Sequence, residues 1–345
     1  MHQGILTKQE LNALISAAAQ EAEVYVPVKG RNGVEYLKTS GAEPVAFDYV
    51  NVKLSPKGLF FPQKEVICRF CRDTLSEVPA PEEKLIVFGA RPCDARSLLY
   101  LDQVFADQTS KFADPYYLSR RNNALMMTFA CHTPAPTCFC TTVGGSPTET
   151  TGSDILVTEL GDELLFEACS EKASAFLETY QAFFRPPTGE HLRSRDAQTA
   201  QAAQQLNKFN IDGIKAKLDR MFEEQVWETL TNTCLGCGVC TYLCPTCHCF
   251  DISDETNAQG EGVRLRTWDS CQYPLFTMHA SGHNPRVNKK QRMRQRIMHK
   301  FSYTVENVGD IYCVGCGRCV IHCPVNLDIR EMLQALAATG TEYFA

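Results

Sequence analysis

The chain has no apolar run near the roughly 18 residues that a membrane-spanning helix needs, so a protein without a membrane span is expected. It also has no excess of basic residues. With 34 Lys and Arg against 40 Asp and Glu the net charge is −6, which excludes a surface built as a whole for nucleic acid. Nucleotide signatures are missing too: no Gly-x-Gly-x-x-Gly follows a strand-like run and no Gly-x4-Gly-Lys-Ser/Thr occurs. No Ser-His-Asp arrangement is readable. The opening residues lack a basic head, and Glu10, Asn12 and Gln20 interrupt their apolar stretch, unlike a secretory signal. A reducing, cytoplasmic setting is therefore expected.

What the chain has in abundance is cysteine, 18 in 345 residues. That is about 5%, below the roughly 8–10% of a small disulfide scaffold. In a reducing compartment such a count points to metal ligation or redox chemistry. Two segments repeat one pattern: Cys234-Leu-Gly-Cys237-Gly-Val-Cys240-Thr-Tyr-Leu-Cys244-Pro245 and Cys313-Val-Gly-Cys316-Gly-Arg-Cys319-Val-Ile-His-Cys323-Pro324. Each is Cys-x2-Cys-x2-Cys-x3-Cys-Pro, the bacterial ferredoxin signature of a 4Fe-4S cluster. Three close thiolates wrap three corners of a cube, while Gly236, Gly238, Gly315 and Gly317 leave room for the backbone to fold around it. In two-cluster proteins the cysteine before proline serves the other cluster. The assignment is therefore Cys234, Cys237, Cys240 and Cys323 to one site, and Cys313, Cys316, Cys319 and Cys244 to the second. Zinc shares the Cys-x2-Cys spacing, yet four cysteines and a proline, twice over, exceed what tetrahedral zinc requires. Cys244-Pro-Thr-Cys247-His248 also matches a haem attachment sequence, but that reading strands Cys234, Cys237 and Cys240.

The organisation around these motifs reads as α+β: a mixed α/β domain over residues 1–185, a linker and connecting helix over 186–225, and a mainly helical two-cluster domain over 226–345. Thr7 and Glu10 have capping-box spacing ahead of Leu11, Leu14, Ile15 and Ala18, which predicts an amphipathic helix. The apolar run after Lys84 leads through Arg91-Pro92-Cys93-Asp94 into a helical pattern, and the run from Ala124 ends at Cys131. Two further runs hinged at Gly161-Asp162 predict a β-hairpin. Residues 186–205 have the polar composition of an exposed connection.

Cys93, Cys131, Cys138 and Cys140, at or near strand ends, form a possible second kind of site, whose spacing alone is compatible with a third 4Fe-4S cluster, with zinc or with no metal. Cys68, Cys71 and Cys169 read as packing residues. Cys247, Cys249 and Cys271 have spacings compatible with iron ligation, with lining the clusters, or with a transient disulfide. Residues 286–300 carry seven Lys and Arg and no acid. A solvated helix face is the plain reading of that run, ahead of docking to an acidic partner and well ahead of nucleic-acid binding. Arg318 and His322, inside the second motif, are candidates for raising a nearby cluster's potential.

Taken in order, Gly89-Ala-Arg-Pro-Cys-Asp94, Cys131, Cys138-Phe-Cys140, Cys244-Pro-Thr-Cys-His-Cys249, Trp268-Asp-Ser-Cys271 and Cys313-Val-Gly-Cys-Gly-Arg-Cys319 resemble the family of anaerobic sulfite reductase iron–sulfur subunits, which includes sulfhydrogenase β subunits. The resemblance spans about residues 45–335. It implies a dicluster electron-transfer protein that exchanges electrons with a separate flavin- and NAD(P)-binding subunit, with a catalytic subunit of sulfite reductase, hydrogenase or heterodisulfide-reductase type at the other end. It also implies a helical two-cluster domain and favours a third cluster on Cys93, Cys131, Cys138 and Cys140. Two rival readings are a cluster-assisted reductase, in which Cys247, Cys249 or Cys271 acts on a disulfide or sulfur substrate, and a zinc-bearing scaffold.

Overall fold

A computed structural model describes residues 2–72, 74–106 and 112–338. Contacts group the chain into two compact units. The first draws on residues up to Phe60, on Pro81–Lys208 and on Val314–Cys316; the second on Phe61–Ala80, Phe209–Cys313 and the chain from Gly317 onward.

The first unit is built on a seven-stranded sheet. Its spatial order is Gln3–Thr7, Glu163–Ala168, Ile155–Leu160, Ala124–Phe129, Leu85–Ala90, Glu23–Gly30 and Gly33–Thr39. The middle pairings are parallel and the flanking ones antiparallel. Every residue of Leu85–Ala90 and of Ala124–Phe129 is buried, as expected for parallel strands covered on both faces. The hairpin predicted at Gly161-Asp162 is present, and so is the capping box that opens helix Lys8–Ala18. That helix lays Leu11, Leu14, Ile15 and Ala18 into a core with Val26, Phe88, Val157, Leu164 and Phe166. Within residues 186–205 the chain forms a helix, Gly189–Gln204, capped by Thr188 and with Ala202 its buried residue.

The second unit is not only helical. It contains a four-stranded antiparallel sheet in the order Phe250–Thr256, Glu261–Trp268, Lys64–Cys71 and Thr74–Glu77. The mainly helical expectation missed it because the outer strands, Phe250–Thr256 and Thr74–Glu77, are largely exposed, and Lys64–Cys71 comes from a distant part of the sequence. Around the sheet, Phe61 stacks on Trp268, and Arg266 pairs with Glu65, each side chain 6% exposed. The helical part gathers Leu218, Trp227, Ile297, Phe301, Leu333 and Leu336 into a fully buried core. Helix Lys289–Met298 runs into a π-turn at His299–Tyr303 and then helix Thr304–Val308. The basic flank of this helix is buried rather than solvated: Arg292, Arg296 and Lys300 are 8%, 4% and 4% exposed.

Candidate iron–sulfur sites

In the first unit the parallel strands deliver two cysteines at their carboxyl ends, where open α/β sheets present their ligand crevice. Gly89 sits at a register shift between the two strands with φ +77°, and a Cβ there would strike Pro27 at 2.8 Å. The kink turns the chain into Arg91-Pro92-Cys93, where Pro92 opens helix Pro92–Phe105 and the Asp94 carboxylate accepts from the Arg91 amide at 3.3 Å. Arg91 is 7% exposed. It donates to the carbonyls of Val50 at 2.8 Å, Ala130 at 3.2 Å and Tyr49, tying three loops beside Cys131.

Cys93, Cys131, Cys138 and Cys140 line one pocket together with Cys316, Asn51, Arg91 and Gly315. Gly315 has φ +61°, and a Cβ there would lie 2.5 Å from the Cys140 nitrogen and the Phe139 carbonyl carbon. Only glycine fits so close an approach. The Phe139 amide donates to the Gly315 carbonyl at 2.8 Å, and Asn51 Nδ2 donates to the Cys316 carbonyl at 2.9 Å. Burial, with Cys138 and Cys131 close by, pushes the free Cys140 thiol up to about 12. Burial also raises Cys131, against the pull of Arg91. Metal ligation takes the proton from such a thiol.

In the second unit Cys234, Cys237, Cys240 and Cys323 line another pocket. The Gly236 amide donates to Cys234 Sγ at 3.4 Å and the Leu327 amide to Cys323 Sγ at 3.2 Å, the N–H to sulfur contacts that tune a cluster. Gly238, at φ +77°, passes under the Tyr273 ring, which a Cβ would meet at 2.7 Å. Arg296 and Cys319 stand in the same wall.

The second ferredoxin set is Cys313, Cys316, Cys319 and Cys244. Cys244 and Cys313 lie close enough to Lys300 to raise its pKa, and Cys244 and Cys319 do the same for Arg296. Lys300 Nζ donates to Thr246 Oγ1 and to the Tyr312 carbonyl, both at 2.7 Å. Cys316 belongs to the segment grouped with the first unit, where its carbonyl takes the Asn51 bond. Arg318 is 1% exposed and His322 half-buried. Among the described residues no three His, Cys, Asp or Glu side chains converge on a point for a single metal ion. A cubane asks for a different arrangement, four thiolates spread around an open space, and the two cavities with a complete set of four fit that demand.

A family model of the 4Fe-4S dicluster domain matches residues 233–327. Over 311 residues the chain is 32% identical to sulfhydrogenase 2 subunit β of Pyrococcus furiosus, an alignment covering 90% of this chain and 91% of that protein. The chain belongs to the sulfhydrogenase β-subunit family. As a member it is an iron–sulfur electron-transfer protein carrying 4Fe-4S chemistry. Among the described residues no helix is long and apolar enough to cross a membrane.

Several residues that shape these family sites escaped sequence reasoning as site residues. Asn51 carries no motif of its own, and Arg91, although inside the Gly89–Asp94 motif, gives no sign in the sequence that its guanidinium binds carbonyls. For Arg296 the signal was available: Arg292, Arg296 and Lys300 recur every four residues on one helix flank, a period that can face inward as readily as outward.

Proposed function

We propose that this protein relays electrons one at a time between two partners, a flavin- and NAD(P)-binding reductase subunit on one side and a catalytic oxidoreductase subunit on the other, within a cytoplasmic complex. Three ligand sets are proposed: Cys234, Cys237, Cys240 and Cys323; Cys313, Cys316, Cys319 and Cys244; and Cys93, Cys131, Cys138 and Cys140. A bound 4Fe-4S cluster accepts or gives a single electron, so several of them divide the two electrons of a hydride. The chain's own residues set the terms of that exchange. Arg91, Arg296 and Lys300 place buried positive charge beside the thiolates, and the amides of Gly236 and Leu327 donate to sulfur. The observation that carries the reading is the pair of pockets, each lined by a proposed set of four cysteines and by a fifth, Cys319 in one and Cys316 in the other, with no nucleotide motif nearby. The family assignment supports it, since the Pyrococcus furiosus relative is named as one subunit of a sulfhydrogenase.

The test uses the tagged chain purified anaerobically, once in complex and once alone, each mixed with NADPH and followed by cluster absorbance. Bleaching of the complex but not of the lone chain is expected. Bleaching of the lone chain, or no bleaching of either, overturns the relay. The cluster-assisted reductase stays as a second reading because the Cys249 and Cys271 thiols touch.

A further inference from the structure

Cys249 and Cys271 stand outside all three proposed ligand sets. Cys249 immediately precedes strand Phe250–Thr256, and Cys271 follows strand Glu261–Trp268 by three residues. Phe250 and Trp268 are direct partners in that ladder, and the Asp269 amide donates to the Cys249 carbonyl at 3.0 Å. The hairpin therefore holds both cysteines at its open end, and the two side chains are in hydrogen-bond contact. Both side chains are half-buried. Cys249 is held by the last bond of this ladder, and Cys271 lies in the turn that follows it.

Their surroundings connect them to the ferredoxin-type sites. With Cys247, His299 and Lys300 they line a pocket whose wall includes Arg296. The same Arg296 stands in the wall of the Cys234 cavity, and its Nη1 donates to Cys247 Sγ at 3.3 Å. Cys247 in turn touches Cys244, and Cys240 lies close enough to Cys271 to feel its charge. The pair thus sits beside Cys240 of one proposed set and shares its pocket with Cys247, which touches Cys244 of the other.

We propose that Cys249 and Cys271 form a redox-active pair, dithiol when reduced and an intramolecular disulfide when oxidised, that exchanges two electrons with the neighbouring 4Fe-4S centres. Oxidation breaks two S–H bonds, forms one S–S bond, releases two protons and passes two electrons, one to each of two clusters. The reverse step takes up the same two electrons and two protons. The outside substrate class that this pair fits is a disulfide: one thiolate attacks it, the first thiol leaves, and the second cysteine resolves the mixed disulfide, so that one disulfide becomes two thiols while Cys249–Cys271 is oxidised. The electron exchange rests on the relay reading, whereas formation of the pair does not.

The experiment equilibrates the full cluster-loaded chain anaerobically in dithiothreitol buffers of stepped potential. After an acid quench, the free thiols of the unfolded protein are alkylated and mapped by mass spectrometry, with iron assayed in parallel. The expected result is that Cys249 and Cys271 lose alkylation together along a two-electron curve, a disulfide-linked peptide appears, and iron is unchanged. A Cys249→Ser, Cys271→Ser double variant keeps its iron. Thiols that stay alkylated throughout, or that titrate separately, overturn the proposal. So does a loss of about four irons in the double variant, which would make the two cysteines cluster ligands. A relay that failed the NADPH test would leave this titration unaffected, because the buffer acts on the thiols directly.

Discussion

Arg296 offers the sharpest test of how the fold sets cluster potentials. It is 4% exposed, it lines the Cys234 cavity, and its hydrogen bond goes to a sulfur. The surrounding thiols hold its pKa well above the ordinary arginine value, so it stays charged at every accessible pH. Reducing a cluster adds one negative charge, and a nearby cation favours that step. Arg296 stands in the cavity wall, and a unit charge taken at about 7 Å from a reducible centre interacts with it by about 2.4 kcal/mol at an effective dielectric of about 20. For a one-electron couple, about 59 mV corresponds to 1.4 kcal/mol, so the charge raises the potential by about 100 mV. Arg296→Gln is expected to lower the potential of the Cys234 cluster by about 50–100 mV once relaxation and water entry are allowed for. Arg296→Lys, which keeps the charge, should stay near wild type. EPR-monitored redox titration of the anaerobic chain reads both, with iron content as the check that the clusters are intact. A glutamine variant with full iron and an unmoved potential would refute the electrostatic argument.

Three further outcomes are expected. Cys138→Ala with Cys140→Ala should lower iron from about twelve to about eight per chain, with acid-labile sulfide falling in step; about eight in both proteins would remove the third cluster. Gly315→Ala places a Cβ 2.5 Å from two backbone atoms at positive φ, and should cost at least about 2 kcal/mol; an unchanged melting temperature would show that the approach is not tight. Glu65→Ala leaves Arg266 charged and 6% exposed in a nearly dry site, at a cost of about 3–5 kcal/mol, while Glu65→Leu with Arg266→Met should recover most of it in denaturant titration; equal losses in both would mean that packing, not charge, matters there.

The ferredoxin motifs and the parallel-strand ends were legible because each rests on a local rule. Cysteine spacing follows the shape of a cube, and an apolar run ending in Arg91-Pro92-Cys93 follows strand burial and helix opening. The Glu261–Trp268 strand was not legible, because its neighbours, Phe250–Thr256 and Lys64–Cys71, leave many side chains exposed and one partner lies some 200 residues away in sequence. A strand held by non-local pairing needs no apolar period of its own. The same hairpin places Cys249 against Cys271, 22 positions apart, which spacing alone could not decide.

The buried cations divide into two kinds, and the division marks where the chemistry lies. Arg266 is matched by Glu65 inside an aromatic cluster, the neutral pairing expected of a structural ion pair. Arg296 and Lys300 are as deeply buried, yet the side-chain hydrogen bonds they donate end on a carbonyl, a hydroxyl and a thiol rather than on carboxylates. A buried charge without a counter-charge is destabilising by several kcal/mol, so such residues should not persist as packing alone. Near them stand Cys240, Cys244, Cys313 and Cys319 of the proposed ligand sets, which would become anionic on binding iron, so the compensating charge would arrive with the metal. A chain with net charge −6 thus concentrates unmatched positive charge where thiolates gather, which lowers the cost of assembling negatively charged clusters and eases their reduction.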